Sequence, residues 1–211
     1  VKIGDQAFNG CTNLASINLP NNLEELGYSA FNGCTSLPMI TIPASLKKIG
    51  NQAFRGCTGM KGRLYLPSTV TYFGQFAFGD CTGITSVYFE DAADPANTTY
   101  SERIFDSCTN LTDLRLPENL TKLNNMIYHC YGLRKLVLPE SIKEFARDDY
   151  LPDGFVYMDL KGIQKFSTYT MSNMTNLKEL YLSANLTDYP DSGRNCHPEI
   201  IYFRGTEEQW N

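Results

Sequence analysis

The chain has 211 residues, of which 42% are hydrophobic and 19% charged, with a formal net charge of −5 at pH 7. This composition is typical of a folded protein and excludes a disordered one. The acidic balance argues against nucleic acid as a partner, because phosphate binding needs a basic surface. No apolar run reaches the ~20 residues that span a bilayer, so we expect no membrane insertion by this segment.

A short motif, L-x-x-L-x-L-P, recurs along the chain, and we call each occurrence of it a rung. The last apolar position of each rung falls at Leu19, Ile42, Leu66, Phe89, Leu116, Leu138, Leu160, Leu182 and Phe203. A period this regular predicts a solenoid, in which each coil buries its apolar edge against its neighbours. We therefore expect a single elongated domain over residues 1–211, with about nine coils of 21–27 residues.

Each repeat begins with a predicted strand. The phrases "INLP" (17–20), "ITIP" (40–43), "LYLP" (64–67) and "LRLP" (114–117) alternate apolar and polar residues. This period of two predicts half-buried strands, joined in a parallel sheet on the concave face of the solenoid. The proline that follows has no N–H and therefore ends the pairing of the strand.

A second apolar pair and then a tight turn complete each repeat. The pairs, such as Leu23 with Leu26 and Leu46 with Ile49, predict extended segments that cross the side opposite the first strand. The phrase x-x-A-F-x-G-C then predicts a short turn, 3₁₀ or helical, that places a phenylalanine in the core. These phenylalanines are Phe8, Phe31, Phe54, Phe78 and Phe105.

The glycine of this phrase is predicted to serve backbone geometry. Gly10, Gly33 and Gly56 close the turn, where a positive φ is expected. Other repeats fill the same column with Asp80, Ser107, His129 and Asn173. Asp, His and Asn are the other residues that best tolerate left-handed backbone, so His129 is predicted to have a backbone role and not a catalytic one.

The cysteines are also predicted to belong to the scaffold. Six of the seven share one repeat column, namely Cys11, Cys34, Cys57, Cys81, Cys108 and Cys130. They lack the close C-x₂-C spacing of zinc sites, so no metal is expected. Met174 fills the same column, which favours buried free thiols, with disulfides between stacked coils as the alternative. No nucleophile, zinc-protease or P-loop motif occurs, which predicts no enzyme activity and no cofactor.

Two segments depart from the repeat. The insertion "EDAADPANTTYSER" (90–103) makes the longest step, and insertions in solenoids often lie on the binding face, although a neutral insertion is the alternative. The ending "FRGTEEQWN" (203–211) is predicted to be a C-terminal cap. Thr206 and Gln209 form a T-x-x-Q capping box, and the helix that follows would place Trp210 over the last open coil.

The phrase "SLKKIGNQAFRGCTGM" (45–60) resembles the leucine-rich repeats of the BspA-like surface proteins. The closing residues 203–211 are similar to the cap that often ends such arrays. The resemblance is specific over residues 1–145 and weaker over 146–176, where Met171 and Met174 stand in for Phe and Cys. Because the chain opens partway through a repeat, we expect that N-terminal repeats have been truncated.

This resemblance implies a leucine-rich-repeat solenoid from a bacterial protein that is secreted or held on the cell surface. It further implies a non-catalytic adhesion module, whose partner is an extracellular or host protein, with a glycan as the alternative. The family has no shared binding motif, so its function cannot be assigned to particular residues by resemblance.

Candidate ligand-binding residues follow from the outward positions of the predicted strands, which adjacent rungs would bring within ~4.8 Å of one another. Tyr and Arg are enriched in binding hot spots, although Tyr is also simply a good strand former. A mixed central patch and a second patch towards the C-terminal end are expected. The first comprises Arg63, Tyr65, Tyr88, Asp113, Arg115 and Lys135, and the second Tyr157, Tyr181 and Tyr202.

Three functions remain open from the sequence. The first is protein recognition through the concave face. The second is carbohydrate binding, which would favour spaced coplanar aromatic rings such as Tyr65 and Tyr88. The third is a structural spacer, for which a featureless concave face is expected.

Overall fold

The computed structural model describes residues 1–146, 149–166, 171–187 and 195–210. These residues form a parallel β-solenoid of about eight turns, slightly fewer than the nine coils predicted, because nine rungs enclose eight complete steps. The strands are β1 (Lys2–Ile3), β2 (Glu25–Leu26), β3 (Lys48–Ile49), β4 (Gly62–Leu66), β5 (Tyr72–Phe73), β6 (Ile84–Phe89), β7 (Thr99–Tyr100), β8 (Asp113–Arg115), β9 (Lys135–Val137), β10 (Tyr157–Leu160), β11 (Glu179–Leu182) and β12 (Ile200–Phe203). A 3₁₀ helix spans Pro95–Asn97, and the short helix α1 spans Glu207–Trp210.

The predicted sheet of rungs is present but divided. Strands β4, β6 and β8 form one parallel sheet, and β9 to β12 form another in sequence order. Their inward residues, such as Leu64, Val87 and Leu180, are buried, whereas outward residues such as Tyr65 and Tyr181 are more exposed. Ser86 and Asp159 face outward but are buried. We call the outward side of these seven strands the concave face.

A third sheet runs along the opposite side. Strands β1, β2, β3, β5 and β7 pair in parallel, so the segments predicted only as extended are hydrogen-bonded between coils. Leu26, Ile49 and Phe73 bury their side chains inward from this sheet. On its outer side the Glu25 carboxylate pairs with Lys2 Nζ at 3.3 Å and Lys48 Nζ at 2.7 Å.

The strands predicted at 17–20 and 40–43 are wrong, because the described chain forms no ladder there. In later rungs the N–H just before the strand donates to the preceding coil. Thr112 N–H donates to Thr85 C=O at 2.9 Å, and Val156 N–H donates to Arg134 C=O at 2.7 Å. Pro38 occupies this position in the second rung and has no N–H, so the ladder between the first two rungs does not start.

The predicted column of phenylalanines in the core is confirmed, and these residues lie in turns and not in helices. The N–H of Phe31 donates to Ala53 C=O in the next coil at 2.7 Å, so backbone bonds in the turn run between coils. The five rings stack, with successive centroids separated by 5.1, 5.3, 5.2 and 5.6 Å. All except Phe8, in the first coil, are fully buried.

The predicted left-handed column is also confirmed. The φ values are +72°, +73° and +70° at Gly10, Gly33 and Gly56. The residues that replace glycine have φ values of +57°, +59°, +57° and +68°, at Asp80, Ser107, His129 and Asn173. A second left-handed column was not predicted; it lies four residues earlier, at Gln6, Ser29, Gln52, Phe76, Arg103 and Asn125.

The cysteines of the repeat column are free, and five of the six are buried. Each buried thiol donates to the backbone carbonyl of a phenylalanine in the preceding coil, over 3.0–3.2 Å. Burial raises the pKa of Cys57 and of Cys130 to about 12, so these thiols stay protonated at neutral pH. Met171 and Met174 are buried in the weaker repeat, as predicted.

The C-terminal capping box is present. Thr206 N–H donates to Gln209 Oε1 at 2.8 Å, and Gln209 N–H donates to Thr206 Oγ1 at 3.3 Å. The side-chain amide of Gln209 also donates to Ala184 C=O at 3.4 Å, which ties α1 to an earlier coil. The packing predicted for Trp210 concerns its side chain, which lies outside the part of the chain that the structure describes.

Candidate functional site

The strand registers align the predicted residues in two columns on the concave face. Tyr65 lies opposite Tyr88, which lies opposite Arg115, and Arg63 lies opposite Ser86 in the neighbouring column. In the second sheet the columns continue as Lys135, Tyr157, Glu179 and Ile200, and as Val137, Asp159, Tyr181 and Tyr202. The sequence pattern thus placed these side chains on the correct face and in the correct order.

The first cluster is built around Tyr65 and Tyr88. Arg63 Nη1 donates to the Tyr65 hydroxyl at 3.2 Å, and Arg63 Nε donates to Ser86 Oγ at 3.1 Å. The rings of Tyr65 and Tyr88 are 5.6 Å apart and tilted by 49°. Tyr65 is 56% exposed and Tyr88 36%, so both rings are available to a partner.

Arg115 joins this cluster to the insertion at 90–103. Its guanidinium lies 4.6 Å from the centre of the Tyr88 ring, while Nη1 donates to Phe89 C=O at 2.7 Å. Nη2 donates to the Asp91 carboxylate at 2.9 Å. The Glu118 N–H, together with Arg115, lowers the pKa of Asp91 and holds that carboxylate in its charged form. Arg115 is therefore fixed in place over Tyr88.

The later part of the insertion packs into the solenoid. Tyr100 in β7 stacks on Phe73 with centroids 5.2 Å apart, and its hydroxyl donates to Asn119 Oδ1 at 3.2 Å. Burial raises the pKa of Tyr100 to about 12. The first part of the insertion, around Asp91, borders the concave face through its contact with Arg115.

The second cluster is a row of three tyrosines. Tyr157 and Tyr181 lie 5.1 Å apart with tilted rings, and Tyr181 stacks on Tyr202 at 4.4 Å with an interplanar angle of 15°. Burial and the neighbouring Tyr202 and Glu179 raise the pKa of Tyr181 to about 12. Lys135 Nζ lies 4.8 Å from the Tyr157 ring centre, so Lys135 contacts this cluster and not the first, where it was predicted.

Arg204 and Asp159 complete the second cluster. Arg204 donates two hydrogen bonds to the buried Asp159 carboxylate, at 2.7 and 3.1 Å, and its guanidinium lies 5.3 Å from the Tyr181 ring centre. The alternating pattern did not identify Arg204 or Asp91, because both follow the end of a rung. A charged residue one or two positions after a rung is the sequence signal that could have found them.

A cleft separates the two clusters. Within the part of the chain that the structure describes, no backbone ladder joins β8 to β9. The space between them is about 270 Å³, and it was not predicted because the repeat phrase continues through both rungs. The lining includes Asp113, Arg115, Glu118, Lys135, Val137 and Lys161. Asp113 lies here, next to the first cluster, as its position in the column requires.

The described residues contain neither a cluster suited to a metal ion nor a helix suited to a membrane. None of these residues forms a group of three or more His, Cys, Asp or Glu side chains suited to a metal ion. No helix among them has the length and hydropathy needed to cross a bilayer.

Solved structures of bacterial leucine-rich repeat proteins resemble this fold. A leucine-rich repeat protein from Bacteroides ovatus is 26% identical with a TM-score of 0.71, and the match covers 89% of this chain and 48% of that protein. The chain therefore spans about half the length of that relative. The T. pallidum leucine-rich repeat protein shares the fold, with 23% identity, a TM-score of 0.56 and coverage of 84% and 71%. A comparison with curated protein sequences gives no significant match.

The repeat itself carries the family assignment. The family model for the BspA type leucine rich repeat region matches this chain in six copies, over residues 1–97, 37–152 and 99–200. Together these matches extend over nearly the whole chain and include the phrases from which the solenoid was predicted. The chain belongs to the BspA-type leucine-rich repeat family.

Proposed function

We propose that this chain is a non-catalytic recognition module, on a secreted or cell-surface bacterial protein, that binds a protein partner through its concave face. The observation that carries the proposal is a strip of tyrosines on one face, of which three are exposed and three contact arginines. Tyr65, Tyr88 and Tyr202 are 56%, 36% and 42% exposed. Arg63, Arg115 and Arg204 contact tyrosines of the same strip.

The arrangement suits protein recognition for two reasons. Tyrosine offers a large contact area with few rotatable bonds, and Tyr and Arg are the residues most enriched in hot spots. Side chains already held in their bound geometry lose less conformational entropy on association. The bidentate Arg204–Asp159 pair and the Arg115–Asp91 pair provide such restraint.

The alternatives receive less support. A flat sugar-stacking platform at Tyr65 and Tyr88 is disfavoured, because the two rings are tilted by 49° and not coplanar. Tyr181 and Tyr202 stack on each other, so each covers a face that a sugar ring would need. A pure spacer has no use for two Tyr/Arg clusters on one face.

The test is binding of the chain to paired arrays of extracellular host proteins and of glycans. A Tyr65→Ala/Tyr88→Ala variant is compared with Tyr28→Ala/Tyr131→Ala, which removes two similarly exposed tyrosines from the turns. We expect a protein signal that the first variant loses and the control keeps. The loss should be roughly tenfold or more in affinity, since hot-spot truncations exceed ~1.4 kcal/mol.

The remaining outcomes count against the proposal in different ways. A glycan signal lost in the first variant would replace the protein partner by a carbohydrate. A protein signal that both variants keep would move the site away from the concave face. Silence on both arrays, from protein shown to be folded by circular dichroism, would favour the spacer.

A further inference from the structure

The cleft between β8 and β9 combines unpaired charges with an interrupted sheet. Elsewhere, neighbouring charged residues of one column pair closely, as Glu25 does with Lys48 at 2.7 Å. Asp113 and Lys135 occupy adjacent rungs of one column, yet they form no such pair. No described carboxylate lies within ion-pair distance of Lys135 Nζ or Lys161 Nζ.

The interrupted ladder also leaves backbone groups facing the cleft. The inward residue Leu138, directly after β9, bonds towards β10, because its N–H donates to Asp159 C=O at 2.9 Å. Successive residues of a parallel strand direct their backbone N–H and C=O groups to opposite neighbouring strands. The outward residues Lys135 and Val137 therefore direct these groups towards β8. Since no ladder joins β8 and β9, the Val137 N–H is a donor directed at the cleft.

We propose that this cleft is an anchoring subsite for a carboxylate side chain of the protein partner. This inference rests on the proposed recognition function and names the group that the concave face selects. The ammonium groups of Lys135 and Lys161 and the Val137 N–H are the donors, and the half-buried side chain of Val137 contacts the aliphatic stem.

The size and charge of the cleft define this ligand. A volume of about 270 Å³ lies below the ~300–1,000 Å³ of drug-sized pockets, so it suits one inserted side chain better than a free small molecule. Because Arg115 is paired with Asp91, the charges left to the cleft are two ammonium groups (Lys135, Lys161) and two carboxylates (Asp113, Glu118), which do not pair with each other. A monoanion is therefore favoured over a phosphate dianion, which the two carboxylates would repel.

The test uses a fluorescein-labelled peptide of alternating Gly and Glu, with Gly–Gln and Gly–phosphoserine peptides for comparison. Fluorescence anisotropy measures the dissociation constants on the full chain at low ionic strength. We expect the Glu peptide to bind most tightly of the three. Lys135→Gln/Lys161→Gln should weaken it roughly tenfold or more, since a lost charge-assisted pair is worth ~1.4 kcal/mol or above.

Two further variants separate the cleft from general electrostatics. Lys122→Gln/Lys143→Gln removes the same charge from exposed lysines outside the cleft and should change affinity less than about twofold. Val137→Trp fills the cleft while keeping both lysines, and it should abolish binding of the Glu peptide. Circular dichroism confirms that each variant is folded.

Three results would overturn the assignment. One is equal weakening by the Lys122→Gln/Lys143→Gln control, and another is binding that survives Val137→Trp. The third is tighter binding of the phosphoserine peptide, which would replace the carboxylate by a phosphate. If a protein found on the arrays depends on Tyr65 and Tyr88 but not on Lys135 and Lys161, the recognition function stands and the cleft has no part in it.

Discussion

Phenylalanine and tyrosine have similar rings but opposite places in this repeat. Phe54 is fully buried and stacks on Phe31 and Phe78, at 5.3 and 5.2 Å. Tyr65 is 56% exposed and points away from the core. The hydroxyl decides the difference, because a buried hydroxyl needs a partner, whereas Tyr65 receives a hydrogen bond from Arg63 at the surface.

Truncation of these two rings should therefore have unequal effects on stability. We expect Phe54→Ala to lower the free energy of unfolding by about 3–5 kcal/mol, because it leaves a cavity between two stacked rings. Tyr65→Ala should lower it by less than about 1 kcal/mol, since little buried contact is lost. Urea unfolding followed by circular dichroism measures both values. Equal losses would mean that the faces of the repeat are wrongly assigned.

Backbone geometry could be predicted at one of the two left-handed columns only. Glycine at Gly10, Gly33 and Gly56, with Asp and His as substitutes, is a specific signal for a positive φ. The other column contains Gln52, Phe76 and Arg103, with φ of +56°, +53° and +56°. These residue types carry no preference for that region, so bonds between coils impose it, as when Gln52 N–H donates to Gln75 C=O at 2.8 Å.

At the scale of the element, the cysteine column links successive coils by hydrogen bonds. Each buried thiol donates to the carbonyl of a phenylalanine one coil earlier, beside the stack of rings. A serine could donate the same bond but would bury a more polar group. Cysteine combines apolar volume with a weak donor, which explains why it recurs in this column. Met174 keeps the buried apolar volume but has no donor.

This column makes stability depend on pH in a defined direction. The raised pKa values mean that the folded state keeps protons which the unfolded state releases above about pH 8.5. The stability contributed by each thiol is therefore complete below that pH, and it is lost as the pH rises towards the folded-state value of about 12. Unfolding at pH 8 and pH 10 under reducing conditions measures this loss.

The control is Cys57→Ala/Cys130→Ala, which lacks two of the thiols that titrate. It should lose less stability than the parent between the two pH values, by about 2 kcal/mol for each thiol removed. Tyr100, whose pKa burial also raises to about 12, is present in both proteins and cancels in the comparison. An identical loss in both proteins would show that the thiols are not protonated differently in the two states.

The rungs show what an alternating pattern can and cannot predict. Alternation identifies which side chains face the core, and it was right for both the strands and the columns from Arg63 onward. It cannot show whether neighbouring backbones pair, because pairing depends on N–H groups such as the one that Pro38 lacks. The strands at 17–20 and 40–43 were therefore predicted in error, and the gap between β8 and β9 was missed.

For the whole molecule, this gap divides a face that the sequence predicted as one continuous sheet. The coils on either side remain joined in the turns, where Phe105 N–H donates to Met126 C=O at 2.9 Å and Ser107 N–H donates to Tyr128 C=O at 2.9 Å. The concave face thus consists of two separately paired sheets on one continuous stack. Each sheet carries one tyrosine cluster, and the cleft with its unpaired lysines lies between them.

Amide hydrogen exchange should locate this division. Val137, Asp159 and Tyr181 share one column, but only the last two have a paired strand on the side that their backbone faces. We expect the Val137 amide to exchange faster than those of Asp159 and Tyr181, because protection requires a ladder partner. NMR-detected exchange of the free chain measures all three rates, and addition of the Gly–Glu peptide should slow Val137 selectively. Equal protection in the free chain would mean that β8 and β9 pair in solution, which would remove both the division and the cleft that depends on it.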